Sequence, residues 1–200
     1  MTERDRVREL LREHGTTYAE EAGITLRDKP APLFQLLVLT LLASTRIRAE
    51  VAADAARGLF RAGWRTPERM RRSTWLQRVD ALDRTHYRRY DERTATRLDE
   101  LSQLVMDRYD GDLRRLRPAD HDGVPELQRA LQEFSGIGPT GAGIFCREVQ
   151  AVWPEVTPYF DDRALRAARR LELPTQPDAL ARLAPDGRVA ELAAALVRVA

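Results

Sequence analysis

Four glycines and a proline fall within residues 135–143, in the stretch FSGIGPTGAGIF between two segments of helical periodicity. A plain turn needs one or two such residues. Glycine reaches positive φ and lets backbone approach a ligand with no Cβ in the way. Gly136-Ile137-Gly138 therefore predicts a tight hairpin, and Pro139 opens the next helix at its first position. The start of that helix offers unpaired N–H groups and the positive end of a helix dipole, which together bind a phosphate. Ile137 is expected to point inward and staple the two helices. A glycine-rich helical hairpin with no ligand fits the same residues. Further along, Asp161 and Asp162 stand at the head of a helical segment carrying Leu165, Ala168 and Leu171, and either carboxylate can cap it.

Other reactive side chains are scarce. Cys146 is the single cysteine, which excludes disulfide scaffolds, zinc ribbons and four-cysteine iron–sulfur clusters within one chain. His14, His86 and His121 are scattered at no metal-ligand spacing. Lys29 is the only lysine, so chemistry that needs a lysine amine uses Lys29 or does without. The remaining basic residues are arginines, and they nearly balance the acids at a net charge of +2.

The elements that must position these groups are helical throughout. At 200 residues, 43% hydrophobic and 32% charged, the chain can bury a sizeable core in one or two domains. Thr2 heads a helix carrying Val7, Leu10, Leu11 and His14, closed by Gly15. Residues 33–43, LFQLLVLTLLA, are apolar on every side, as in a helix buried at the centre of a bundle. Ile47 to Phe60, Thr66-Pro67-Glu68, 93–109, 124–134, the segment after the glycines and VAELAAALVRVA supply further helices, with a turn at Asp110-Gly111-Asp112. No strand pattern and no repeat is evident. Leu36, Leu37, Leu41, Leu101, Val105, Leu131, Ile144 and Leu165 are the expected core. No stretch reaches the roughly 18 apolar residues of a membrane span, and MTERDRVREL carries no apolar signal core, so a cytoplasmic protein is expected.

SGIGPTGAGI resembles the helix-hairpin-helix of the endonuclease III superfamily of DNA glycosylases, whose usual form is L-P-G-V/I-G-x-x-T/A-A. LLVLTLLASTRIR is similar to that family's buried second helix and the loop after it, and TPERM to its next capped helix. YDERTATRL resembles its Y-x-x-K-A-x-x-I stretch, with Thr94 where lysine is common, and TPYFDDRALRAARRL resembles its V-D-T-H-x-x-R-V segment. The matches run in family order from about residue 30 to 171.

The resemblance implies an all-α, two-lobed fold with a cleft between lobes. Residues 30–128 would form a helical bundle, and 1–29 with 129–200 a second lobe holding the hairpin, about 124–153. It implies that Gly136, Ile137, Gly138, Thr140 and Gly141 hold a DNA backbone, and that Asp161 stabilises the sugar cation formed as a damaged base leaves, with Asp162 as the fallback. A carboxylate suits that task because breaking the N-glycosidic bond develops oxocarbenium character. The base must first be extruded from the duplex. Thr45 and Arg46 would fill the gap it leaves. Arg48 beside them, and Arg88, Arg89 and Tyr90 at a second probing turn, would touch the strand; solvated surface arginines are the plainer alternative.

Three departures narrow the expectation. Family members that cleave the strand carry a lysine at the position of Thr140, which cannot form a Schiff base. The iron–sulfur cluster of some members has no cysteines here, leaving at most a monovalent cation at the hairpin carbonyls. The adenine-excising members use an acid on the second helix, and residues 33–45 contain none. The expectation is a monomeric, monofunctional glycosylase acting on lesion-bearing double-stranded DNA with no membrane association. A non-catalytic DNA-binding paralogue and a helical protein scaffold are the alternatives.

Overall fold

The computed structural model describes residues 2–87 and 90–200. Twelve α-helices and no strand occur among them: α1 (Glu3–His14), α2 (Tyr18–Glu21), α3 (Pro30–Ala43), α4 (Ala49–Arg61), α5 (Pro67–Arg72), α6 (Trp75–Asp83), α7 (Asp91–Tyr109), α8 (Val124–Leu131), α9 (Pro139–Val149), α10 (Asp162–Arg170), α11 (Pro177–Ala181) and α12 (Val189–Arg198). Local chemistry sets their starts. Thr2, Thr17 and Thr74 each close a reciprocal capping box with the residue three positions on, while Thr66 caps α5 ahead of Pro67. Helix α7 cannot continue past Tyr109, because Asp110 and Gly111 both take left-handed backbone, at φ 49° and 77°.

The all-round apolar α3 is the axis of the fold. Leu33, Phe34 and every residue from Leu36 to Leu42 are buried, because α4 packs on one side of it and α9 on another. Two apolar clusters result. The first gathers α3 with Ala53 and Leu59 of α4, Leu98 and Val105 of α7, Leu131 of α8, Phe145 and Val149 of α9, and Trp153. The second gathers Val7 and Leu11 of α1, Ala164 and Ala168 of α10, and Leu192 and Leu196 of α12. Helix α1 thus packs against the C-terminal helices.

Buried side chains draw the division later than residue 128. Leu131, Phe134, Ile137, Phe145 and Val156 all belong to the first cluster, and the second resumes at Phe160. The reason is α3: its apolar surface is wide enough to take the hairpin helices as well as α4. Six of the expected core residues are buried. Ile144 and Leu165 are only half-buried, Ile144 because it faces a cleft between the clusters. Helices α2, α6 and α11 have no counterpart in the periodicity reading; α2 is opened by the Thr17 capping box, and α6 is held by a cap and by the buried Arg78, which donates to the carbonyls of Ala95 and Ser73.

No helix among the described residues is long and apolar enough to cross a membrane. Leu37, fully buried at the centre, offers a direct check on the axis: Leu37→Ala is expected to cost about 2–5 kcal/mol, read as a lowered urea midpoint at unchanged slope.

Candidate active site

The glycine stretch forms a hairpin between α8 and α9. Gly136 sits at φ 92°, in the region that favours glycine, and a Cβ there would come within 2.9 Å of Arg97 and Leu41. Gly138 is the extended residue ahead of α9, with open space where a side chain would be, and Pro139 takes the first helical position. Ile137 is buried in the first cluster, joining α8 to α9 as the spacing predicts. Gly141 serves packing: a Cβ there would lie 2.2 Å from Ser44 Oγ, so its absence lets the end of α3 press against the start of α9. Thr140 is exposed and faces the cleft.

That cleft, about 1350 Å³, opens between the two apolar clusters. Thr45, Arg46 and Arg48 from the loop after α3, Thr140 and Ile144 from α9, and Asp161 and Asp162 at the head of α10 all line it. Residues separated by more than a hundred positions are brought to one hollow. Arg46 and Arg48 are exposed. Thr45 is turned inward: its hydroxyl donates to the Leu42 carbonyl at 3.0 Å and lies 3.0 Å from the Tyr87 hydroxyl. The Thr45–Tyr87 contact couples the loop after α3 to the turn that follows α6. Tyr90, half-buried, meets the edge of Tyr87 with ring centroids 6.4 Å apart. Arg88 and Arg89 lie outside the described residues.

Asp161 caps α10, its Oδ1 accepting from the Ala164 N–H at 2.8 Å. Its Oδ2 accepts from Arg147 Nη1 at 2.5 Å. Asp162 is exposed and is the first residue of the helix proper. Gly143 faces the same point: a Cβ on it would sit in ordinary contact, 3.4 Å from the Tyr159 hydroxyl and 3.7 Å from Asp161 Cβ. Gln128 Nε2 donates to that hydroxyl at 2.8 Å, so α8 braces the same wall.

Arg147 was not singled out by sequence reading, and it organises the site. Only 3% of its side chain is exposed. Such a charge must be paired where it is buried. Asp161, at the head of α10, supplies that partner; Glu148 Oε1 lies 4.0 Å from Arg147 Nε, beyond hydrogen-bond reach, and neither of those two atoms has a hydrogen-bond partner among the described residues. The Glu148 carboxylate also accepts from the Ala19 N–H at 2.9 Å, at the start of α2. Tyr18 lies over both Arg147 and Arg198, with guanidinium carbons 5.3 and 4.5 Å from its ring centroid. Arg198 in turn pairs with Glu21 at 2.5 Å. The signal available beforehand was an adjacent Arg-Glu pair inside the apolar run GIFCREVQAV.

Burial lifts the Glu148 carboxyl above its ordinary value of 4.5, against the pull of Arg147 and of the N–H groups of Ala19 and Tyr18. Burial likewise pushes the Cys146 thiol up to about 12, which leaves it a packing residue. With that one cysteine the chain does not fit a four-cysteine iron–sulfur cluster. Among the described residues no group of three or more His, Cys, Asp or Glu side chains could hold a metal.

Neither a protein-family model nor a curated protein matches the sequence. The fold does match solved structures. A trapped covalent endonuclease III–DNA intermediate, an estranged-adenine complex, superposes at a TM-score of 0.51 and 17% identity, covering 98% of this chain and 85% of that one. A non-covalent endonuclease III–DNA complex gives 0.52 and 16%, with the same coverage. The all-helical architecture is therefore that of endonuclease III, at low sequence identity.

Two outcomes follow from this geometry. Gly136→Ala forces an L-residue into left-handed backbone against Leu41 and is expected to lose about 1–3 kcal/mol, measured by chemical denaturation. Glu148 holds its proton to higher pH in the folded chain than in the unfolded one. Its contribution to stability is therefore greatest below about 4.5 and falls as the pH rises from there to its folded titration point. Glu148→Gln should flatten that fall relative to wild type in urea midpoints taken from about pH 4.5 to neutrality.

Proposed function

We propose that the protein is a DNA glycosylase that hydrolyses the N-glycosidic bond of a damaged or mismatched base and leaves an abasic site. One observation carries this reading: the Asp161 carboxylate lies in the same cleft as the hairpin's α9 terminus and the Arg46–Arg48 loop. The likeness to DNA-bound endonuclease III structures supports a duplex as the partner. In this reading the hairpin N–H groups and the start of α9 hold a backbone phosphate. Arg46 enters the duplex, and the target nucleotide turns out of the stack toward the cleft. As the C1′–N bond breaks, its electron pair leaves with the base, and positive charge grows on the sugar. Asp161 stabilises that charge, fixed in place beforehand by Ala164 and Arg147. Water then bonds to C1′ and gives up a proton, while the base gains one.

Thr140 cannot act as an amine nucleophile, so strand cleavage is not part of the reaction. A second reading draws on the Arg147–Asp161 contact: a carboxylate already paired with a guanidinium suits a DNA-binding paralogue without excision.

Base release distinguishes the two. Labelled duplexes carrying a series of lesions are incubated with protein and divided into hot-alkali and untreated halves. Breaks that appear only after alkali, and fall by at least about a hundredfold in Asp161→Asn, are the expected result. Breaks without alkali would overturn the reading of Thr140. Intact DNA in both halves, with salt-dependent duplex binding retained, would favour the non-catalytic paralogue.

A further inference from the structure

Two glutamines hold one tyrosine on the wall of the cleft. Gln150, buried just past the end of α9, clamps the Tyr159 backbone twice: its Oε1 accepts from the Tyr159 N–H at 2.8 Å, and its Nε2 donates to the Tyr159 carbonyl at 2.9 Å. The same Nε2 donates to the Arg147 carbonyl at 3.0 Å. At the far end of the tyrosine, Gln128 Nε2 donates to the hydroxyl at 2.8 Å. A phenol has one proton to give and lone pairs with which to accept. Gln128 uses the accepting side, and no described residue accepts the proton. The residue is half-buried against the first cluster and lines the cleft. Burial, reinforced by Cys146 and Asp161, holds the phenol protonated well above its ordinary value of 10, so it stays a donor at neutral pH.

Asp161 stands beside this donor. Its two oxygens each spend one acceptor position, on the Ala164 N–H and on Arg147 Nη1, and each keeps another. The position a Cβ on Gly143 would take is 3.4 Å from the Tyr159 hydroxyl and 3.9 Å from Asp161 Oδ2, and Gly143 itself lines the cleft. A hydrogen-bond donor and a proton acceptor thus face one small volume over α9. Hydrolysis at C1′ calls for such a pair on one side of the sugar. The attacking oxygen arrives on the face opposite the departing base and sheds a proton as it bonds. A carboxylate that takes that proton stands on the water's side, and Tyr159 shares its wall. The hydroxyl is therefore a neighbour of the nucleophile, not of the leaving base.

We infer that Tyr159 is a further catalytic residue, whose hydroxyl donates to the attacking water over Gly143 while that water donates to Asp161. The inference rests on the glycosylase reading. As the water oxygen bonds to C1′, the electron pair of the C1′–N bond leaves with the base, and one water proton passes to the Asp161 carboxylate. Tyr159 keeps its own proton and acts by fixing where the oxygen lies and which way its free lone pair points.

The test uses the full chain and single-turnover base release from duplexes carrying uracil, hypoxanthine, 7-methylguanine or a ring-saturated thymine. Duplex affinity and urea midpoints are measured alongside. Tyr159→Phe keeps the ring and removes the hydroxyl, and its release rate is expected to fall by at least about tenfold at unchanged affinity. Gly143→Ala puts a methyl group where the water lies, in ordinary contact with its neighbours. Release should slow in that variant too, while the urea midpoint holds or rises. Methanol, added as a competing nucleophile, separates placing the water from bracing α8. Capture by methanol frees the base but leaves a methyl glycoside that hot alkali does not cleave. The share of released base without an alkali-labile break should rise in Tyr159→Phe. Wild-type rates in both variants would overturn the inference and leave a glycosylase. So would a Tyr159→Phe loss confined to affinity or urea midpoint, with the methanol share unchanged. No release by wild type from any duplex would overturn the glycosylase reading, and the inference with it.

Discussion

A buried guanidinium is the constraint on which this site depends. Arg147 sits at the end of α9 with almost no contact with water, where an uncompensated charge would cost several kcal/mol. Asp161 pairs with it directly and Glu148 lies beside it, and the two acidic residues have different reach. Glu148 is its neighbour on α9 and reaches the start of α2, whereas Asp161 heads α10. Satisfying one charge therefore ties the hairpin helix, the N-terminal segment and the second apolar cluster to a single point. The Arg198–Glu21 pair repeats the tie from α12 to α2, with Tyr18 between the two guanidiniums. Breaking one partner of such a network costs more than replacing the whole by apolar groups, because the remaining charge stays buried.

The same network gives Asp161 a fixed orientation. One carboxylate oxygen caps α10 and the other meets Arg147, so capping and orientation use the same side chain. Local sequence reading sets these roles against each other, yet the geometry accommodates both. A carboxylate held from two sides needs little reorganisation when charge develops beside it, which is the physical content of preorganisation. Glycines complete the arrangement by omission. Gly141 admits Ser44, and Gly136 admits Leu41.

Much of this was legible in the chain. The apolar run LFQLLVLTLLA could only be a central helix, and the glycine spacing around Ile137 could only be a tight connection, because both signals are local. The carboxylate at Asp161 and the loop at Arg46 and Arg48 were legible through resemblance, since motif order survives where identity does not. The network was not. Arg147, Glu148, Tyr18 and Arg198 meet across separations of up to 180 residues, and an arginine bound for burial looks like any of the solvated ones until its partners are placed. The contact of the Thr45 hydroxyl with Tyr87 was hidden for the same reason, since Tyr87 comes from another loop. The packing of the hairpin on α3 was hidden as well, because α3 offers a surface that periodicity alone does not reveal.

In the glycosylase reading proposed above, Asp161 is held where a sugar cation would form. Its most direct test is the affinity for two duplexes that differ at one abasic position, one with a cationic pyrrolidine sugar mimic and one with neutral tetrahydrofuran. Transition-state mimics bind at least about a hundredfold tighter than ground-state ligands when the site is built for the charge. A preference of that order in wild type, lost in Asp161→Asn, is the predicted result. Equal affinity for the two duplexes would mean that Asp161 caps a helix and balances Arg147 without meeting a sugar, which would contradict the account.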